Sequence, residues 1–86
     1  MTVHASHPKI IQRLKRAEGH LRSIVAMMEE GRNCLDLAQQ LHAVEKAVAN
    51  AKRELIHDHI EHCLDDSDKA AMKSNLEEIK QLAKYL

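Results

Sequence analysis

The sequence predicts an all-α fold, and three observations carry that expectation. Apolar residues recur at alternating intervals of four and three along two stretches: Ile10, Leu14, Ala17, Leu21, Ile24, Met28, and then Leu37, Leu41, Val44, Val48, Ala51, Leu55. That is the spacing of one face of an α-helix. The chain has no Trp or Phe and a single Tyr, so its core must be built from Leu, Ile, Val, Met and Ala, the side chains of helix seams rather than of β-sandwiches. With two Gly and one Pro in 86 residues, it also lacks the turn residues that a multi-stranded fold needs.

The first helix is expected from about Pro8 to Glu30, with Ile11 and Val25 widening its apolar face. Pro8 suits a first turn, where its missing N–H would be unpaired anyway, and Gly31 suits the stop. Asn33 is the expected N-cap of the second helix, with Asp36 in the first turn, and Ile56 and Ile60 extend the pattern toward Cys63. A third helix is expected from about Lys69 to Leu86 on Met72, Leu76, Ile79 and Ala83, entered through the acidic turn Asp65-Asp66-Ser67-Asp68. Met27 and Met28 read as core. The whole chain, residues 1–86, reads as one domain.

No apolar run approaches the ~20 residues needed to span a bilayer, and no signal sequence opens the chain, so a cytoplasmic protein without membrane attachment is expected. A 29-residue second helix would be ~43 Å long, whereas a compact chain of this size has a radius of gyration of ~12 Å. One protomer therefore cannot cover its own middle helix, and a homo-oligomer follows. Net charge is zero, but Lys9, Arg13, Lys15, Arg16, Arg22 and Arg32 face only three acids within residues 1–33. The basic potential sits on the first helix.

Two cysteines in a reducing compartment point to a metal or redox site rather than a disulfide. His59 and Cys63 are four residues apart, on one helical face where both can bind one ion. Cys34 lies at the other end of the same helix, where the dipole favours negative charge, but ~37 Å from His59. A single subunit cannot use all three. If two copies of the helix pack antiparallel about a two-fold axis, Cys34 of one meets His59 and Cys63 of the other, and symmetry makes two such sites. Two thiolates and an imidazole suit Cu(I) first, with Ni(II) or Co(II) as alternatives that need further ligands. His4 and His7 are the nearby supply. Glu61 and His62 are candidate outer partners of the ligands, although a solvated surface residue is the plainer reading of each. Nothing resembles a catalytic triad or a Gly-rich phosphate loop, so an enzyme is not expected.

The basic RLKRAEGHLRSI of the first helix, the CLDLAQQLHAVEKAVANAKRELIHDHI of the second and the Cys34, His59, Cys63 spacing together resemble the copper-sensing operon repressor family. That family also contains nickel/cobalt, formaldehyde and persulfide sensors. The resemblance covers essentially the whole chain and is closest to a nickel-resistance-associated branch, in which a histidine near the N-terminus can join the triplet. It implies a three-helix protomer, an antiparallel dimer forming a four-helix bundle, a dimer-of-dimers tetramer, and a repressor that binds double-stranded operator DNA without a helix-turn-helix and is released by its metal.

Carried over by position, Cys34, His59 and Cys63 match the copper-type ligands, and Arg13, Arg16 and Arg53 match basic positions implicated in operator contact. Lys9 and Lys15 add to the same basic segment. Arginines suit phosphate positioning and base readout, and repetition in a tetramer multiplies a modest patch. Two positions depart from the copper-type pattern: Asn33 stands where copper sensors often carry a Tyr, and the coupling Glu of the third helix has no clear counterpart, with Glu77 and Glu78 only nearby. Formaldehyde sensing is disfavoured because Thr2 stands where that branch has Pro. Persulfide sensing needs only Cys34 and Cys63, but that branch usually lacks the His. Outside the family, the rival is a helical protein-interaction module that binds no DNA.

Overall fold

The computed structural model describes residues 6–64 and 69–86, and side chains outside residues 63–75. His4 and the acidic turn Asp65-Asp66-Ser67-Asp68 lie outside the described residues. Three helices follow in order, α1 (His7–Glu29), α2 (Cys34–Leu64) and α3 (Lys69–Leu82), and a 3-10 turn at Ala83–Tyr85. Among the described residues the fold is all-α, as the periodicity requires.

Local chemistry sets the helix ends. Pro8 occupies the first turn of α1. At its other end Gly31 adopts φ +80°, its N–H donates to the Met28 carbonyl at 3.1 Å, and the Arg32 N–H donates to the Met27 carbonyl at 3.0 Å. This pair of bonds is a Schellman stop, which favours glycine because a Cβ is strained in the left-handed conformation. The chain then restarts at once. The Asp36 N–H donates to Asn33 Oδ1 at 2.8 Å, so Asn33 is the N-cap its position suggested. The Asp36 carboxylate lies 3.1 Å from the Arg32 guanidinium and at the end of α2 where the dipole favours an anion. Cys34 is the first residue of α2, so these contacts fix where it stands.

The third helix departs from expectation at its end. It was expected to run to Leu86, but the α-helix stops at Leu82 and tightens, with the Leu86 N–H on the Ala83 carbonyl at 3.3 Å. Helix ends commonly tighten in this way, because i→i+3 bonds satisfy carbonyls that lack an i→i+4 donor.

α1 and α2 pack antiparallel, and their apolar faces divide in two. Ala17 and Ile24 of α1 and Leu37 and Val44 of α2 form one buried cluster, and Ile10, Ala51 and Ile56 are buried as well. Leu14, Leu21 and Met28, and likewise Leu41, Val48 and Leu55, stay 41–58 % exposed. A 4–3 pattern is two rows of every seventh residue, and a single partner helix covers one row. Ile11 and Val25 flank the uncovered row, also about half exposed. Met27 is partly buried against the core, whereas Met28 is not core in this protomer as was expected.

Fully burying a large aliphatic side chain is worth about 1.5–3 kcal/mol, and among the described residues seven apolar side chains are buried. The radius of gyration is 17.6 Å and the extents are 58 × 23 × 14 Å, well beyond the ~12 Å of a compact chain of this length. The middle helix is left uncovered along one flank. Among the described residues, no helix is long and apolar enough to cross a membrane.

Candidate functional site

α2 is helical without interruption from Cys34 to Leu64. At ~100° per residue, the 25 residues from Cys34 to His59 return to within ~20° of the same face, and the position of Cys63 falls within ~20° on the other side. Leu41, Val48 and Leu55 lie on that face too. The candidate ligands are thus at the two ends of the uncovered apolar row. Cys34 is exposed, with a free thiol, and the Cys63 side chain lies outside those described. Cys34 and His59 are ~37 Å apart along the helix. Among the described residues of one protomer, no three His, Cys, Asp or Glu side chains converge to hold an ion.

His59 is anchored from α3. Its Nε2 lies 3.1 Å from Glu78 Oε1, with the imidazole about a quarter exposed. Glu77, the other candidate noted in the sequence, is 3.5 Å from Lys80 instead. Spacing alone could not choose between them, because the choice depends on how α3 lies across α2.

His7 opens α1 and heads the row that continues through Ile11 and Leu14. The same end of α1 faces the C-terminal half of α2: Pro8 and Lys9 look across an open cleft of about 520 Å³ to Glu54, His57, Asp58 and Glu61. His7 therefore stands at the His59 end of the molecule, not the Cys34 end. Glu61 and His62 are both exposed, and Glu61 faces this cleft, about half a turn round α2 from the ligand face.

The basic residues gather on the other flank of the α1–α2 seam. Arg13 and Arg16 line a second cleft of about 420 Å³ with His20, Asn50 and the small floor residues Ala17 and Ala47. Arg13 is paired with Glu54 of α2. Arg53 Nη1 donates to Asn50 Oδ1 at 3.0 Å, which brings the third arginine to the rim. His20 Nε2 and Gln40 Oε1 share a 2.6 Å hydrogen bond that ties α1 to α2. The expected set divides here: Lys15 lies ~100° round α1 from Arg16, and Lys9 faces the acidic cleft. The Arg13–Glu54 pair and His20 carried no periodic signal, because they arise only from the register of α1 on α2.

Residues 6–86 match the family model described as metal-sensitive transcriptional repressor. Over 62 residues, 72% of this chain, the sequence is 42% identical to the copper-sensing transcriptional repressor CsoR of Bacillus subtilis (strain 168), and the match covers 61% of that protein. It is 36% identical over 75 residues to the CsoR of Mycobacterium ulcerans (strain Agy99), covering 81% of this chain and 64% of that one. The chain thus spans somewhat over three-fifths of the length of these relatives. Among solved structures, that of the nickel-responsive transcriptional regulator InrS superposes with a TM-score of 0.82 at 28% identity, over 100% of this chain and 99% of that one. With its three-helix fold and a matched segment running from Ser6 to the last residue, the chain belongs to the metal-sensitive transcriptional repressor family.

Proposed function

We propose that this chain is a transcriptional repressor that binds operator DNA when metal-free and is released when a transition metal binds between two subunits. Cys34 of one copy and His59 and Cys63 of another form the site, and a two-fold axis makes two per dimer. One observation carries this reading: the candidate ligands share the face of α2 whose Leu41, Val48 and Leu55 are left exposed. An antiparallel second copy covers that row and, by the same motion, brings Cys34 to the far end of its neighbour. The further step to a dimer-of-dimers tetramer uses the remaining exposed row of α1.

The donor set fits a soft ion. Two thiolates and an imidazole satisfy Cu(I) at low coordination number, which makes Cu(I) the first choice; Ni(II) or Co(II) needs a further ligand, and His7 or His4 is at the right end to supply it. Relatives named for copper and a solved neighbour named for nickel accord with both. A bound ion would supply a bridge between the two chains. Glu78, 3.1 Å from Nε2, is placed to hold the orientation of the His59 ring. That pairing also favours a metal over chemistry of the two thiols alone, as in a persulfide sensor. α2 carries the ligands on one flank and the Asn50–Arg53 rim of the basic cleft on the other. Its orientation therefore links the two sites. A regulator of this kind works in the cytoplasm, where the DNA is, and is not an enzyme.

The test is a gel shift with a duplex from the chain's own promoter region, using anaerobically purified protein titrated with Cu(I), Ni(II) or Co(II). Binding by the metal-free protein and release by one of these ions is the expected result. No binding to duplex DNA contradicts the reading and leaves the helical interaction module.

A further inference from the structure

We propose that Glu54 is an internal carboxylate that holds Arg13 in the DNA-free chain and is displaced from it by a backbone phosphate when DNA seats in the α1–α2 cleft, on the arginines that the family resemblance already points to. This deepens the repressor reading and rests on it.

The cleft has the composition of an anion seat. Arg13 and Arg16 stand one helical turn apart on one wall, Asn50 and His20 complete the polar lining, and no carboxylate lines it among the described residues. Ala17 and Ala47 leave the floor open. Arg16 is exposed and makes no ion pair among the described residues. Asn50 spends its carbonyl oxygen on Arg53, so its amide N–H groups are the ones left to face an anion. The cleft lies on the flank opposite the uncovered apolar row, so packing of a second copy on that row leaves it accessible.

Glu54 is what distinguishes a seat from a merely basic surface. A guanidinium grips a carboxylate and a phosphate with the same paired N–H geometry, and in the DNA-free chain Glu54 takes that place on Arg13. Both side chains are about 45% exposed, and an ion pair so open to solvent is worth only about 0–1 kcal/mol. A DNA phosphate gains in addition from counterion release and can take Glu54's place. The freed carboxylate then repels the same phosphate. Glu54 thus sets an upper limit on affinity, which keeps the protein releasable.

The test uses the full chain, a fluorescein-labelled mixed-sequence duplex and fluorescence anisotropy over a salt series, since a phosphate seat is indifferent to base sequence. Removing one unit charge beside a phosphate at high dielectric corresponds to roughly threefold tighter binding for Glu54→Gln at low salt. Glu30→Gln makes the same charge change ~25 Å along α1 and should alter affinity far less. Arg16→Ala should weaken binding and reduce the slope of log affinity against log salt by about 0.9 for each seat engaged.

Weaker or unchanged binding by Glu54→Gln, or equal gains from both Gln variants, overturns the displacement. An unchanged salt slope in Arg16→Ala overturns the seat while leaving the repressor reading intact. A wild-type chain that binds neither this duplex nor one from its own promoter region overturns both, whereas failure on the mixed-sequence duplex alone overturns only the seat. In a parallel NMR titration, shifts of the Arg16 side chain that saturate with inorganic phosphate but are absent with duplex would make the ligand a free anion and overturn the assignment to DNA.

Discussion

Val48→Asp should dissolve the assembly and abolish metal binding without touching a ligand. Val48 is 14 residues from Cys34 and 15 from Cys63, so in an antiparallel pair that joins those ends it lies near the two-fold axis, facing its own copy. In the protomer it is 45% exposed. Covering the remainder is worth about 1 kcal/mol, on the basis of 1.5–3 kcal/mol for a fully buried side chain. Aspartate forfeits that gain and faces several kcal/mol of desolvation for its carboxylate, increased by the like charge across the axis. A total near 4 kcal/mol raises the dimer dissociation constant about a thousandfold. Light scattering should report a monomer at micromolar concentration, circular dichroism should still report a helical chain because the α1–α2 seam is untouched, and chelator competition should find no tight site. A Val48→Asp protein that remains oligomeric and binds metal as well as wild type would refute the reasoning.

Three further outcomes follow from the same geometry. Gly31→Ala should destabilise the protein by about 1–2 kcal/mol through its left-handed backbone, whereas Gly19→Ala, in mid-helix with open space around it, should stabilise it by up to about 1 kcal/mol; thermal unfolding at fixed concentration separates the two. Glu78→Gln should lower metal affinity roughly 10–100-fold with no change in oligomeric state, read by chelator competition and light scattering together. Deleting residues 1–7 should leave Cu(I) affinity nearly intact but cost Ni(II) affinity about tenfold or more, ~1.4 kcal/mol for a lost ligand, as measured by competitive titration of each ion.

Periodicity and caps made most of the fold legible. The extents of α1 and α2 and the roles of Gly31 and Asn33 follow from local backbone chemistry, which needs no knowledge of the rest of the chain. The spacing of Cys34, His59 and Cys63 was legible for the same reason, since a straight helix converts residue number into distance and angle. What the sequence could not reveal was the division of each 4–3 pattern into a row covered within the protomer and a row left open, because both rows are equally apolar. Met28 was misjudged for that reason. Contacts set by helix register were hidden as well: Glu78 on His59, Glu54 on Arg13 and the place of Lys9 at the acidic cleft all depend on how one helix lies across another, whereas the ~100° between Lys15 and Arg16 follows from spacing alone.

Whether the metal site is shared between subunits is decided most directly by mixed dimers of a Cys34→Ala chain and a Cys63→Ala chain, co-purified on two different tags and titrated with Cu(I) and Ni(II) against a chelator. Each homo-oligomer should lack a tight site. In the mixed dimer, Cys34 of the second chain meets His59 and Cys63 of the first, so one tight site per dimer should return. If the mixed dimer binds no better than either homo-oligomer, the ligands do not come together from two antiparallel copies of α2.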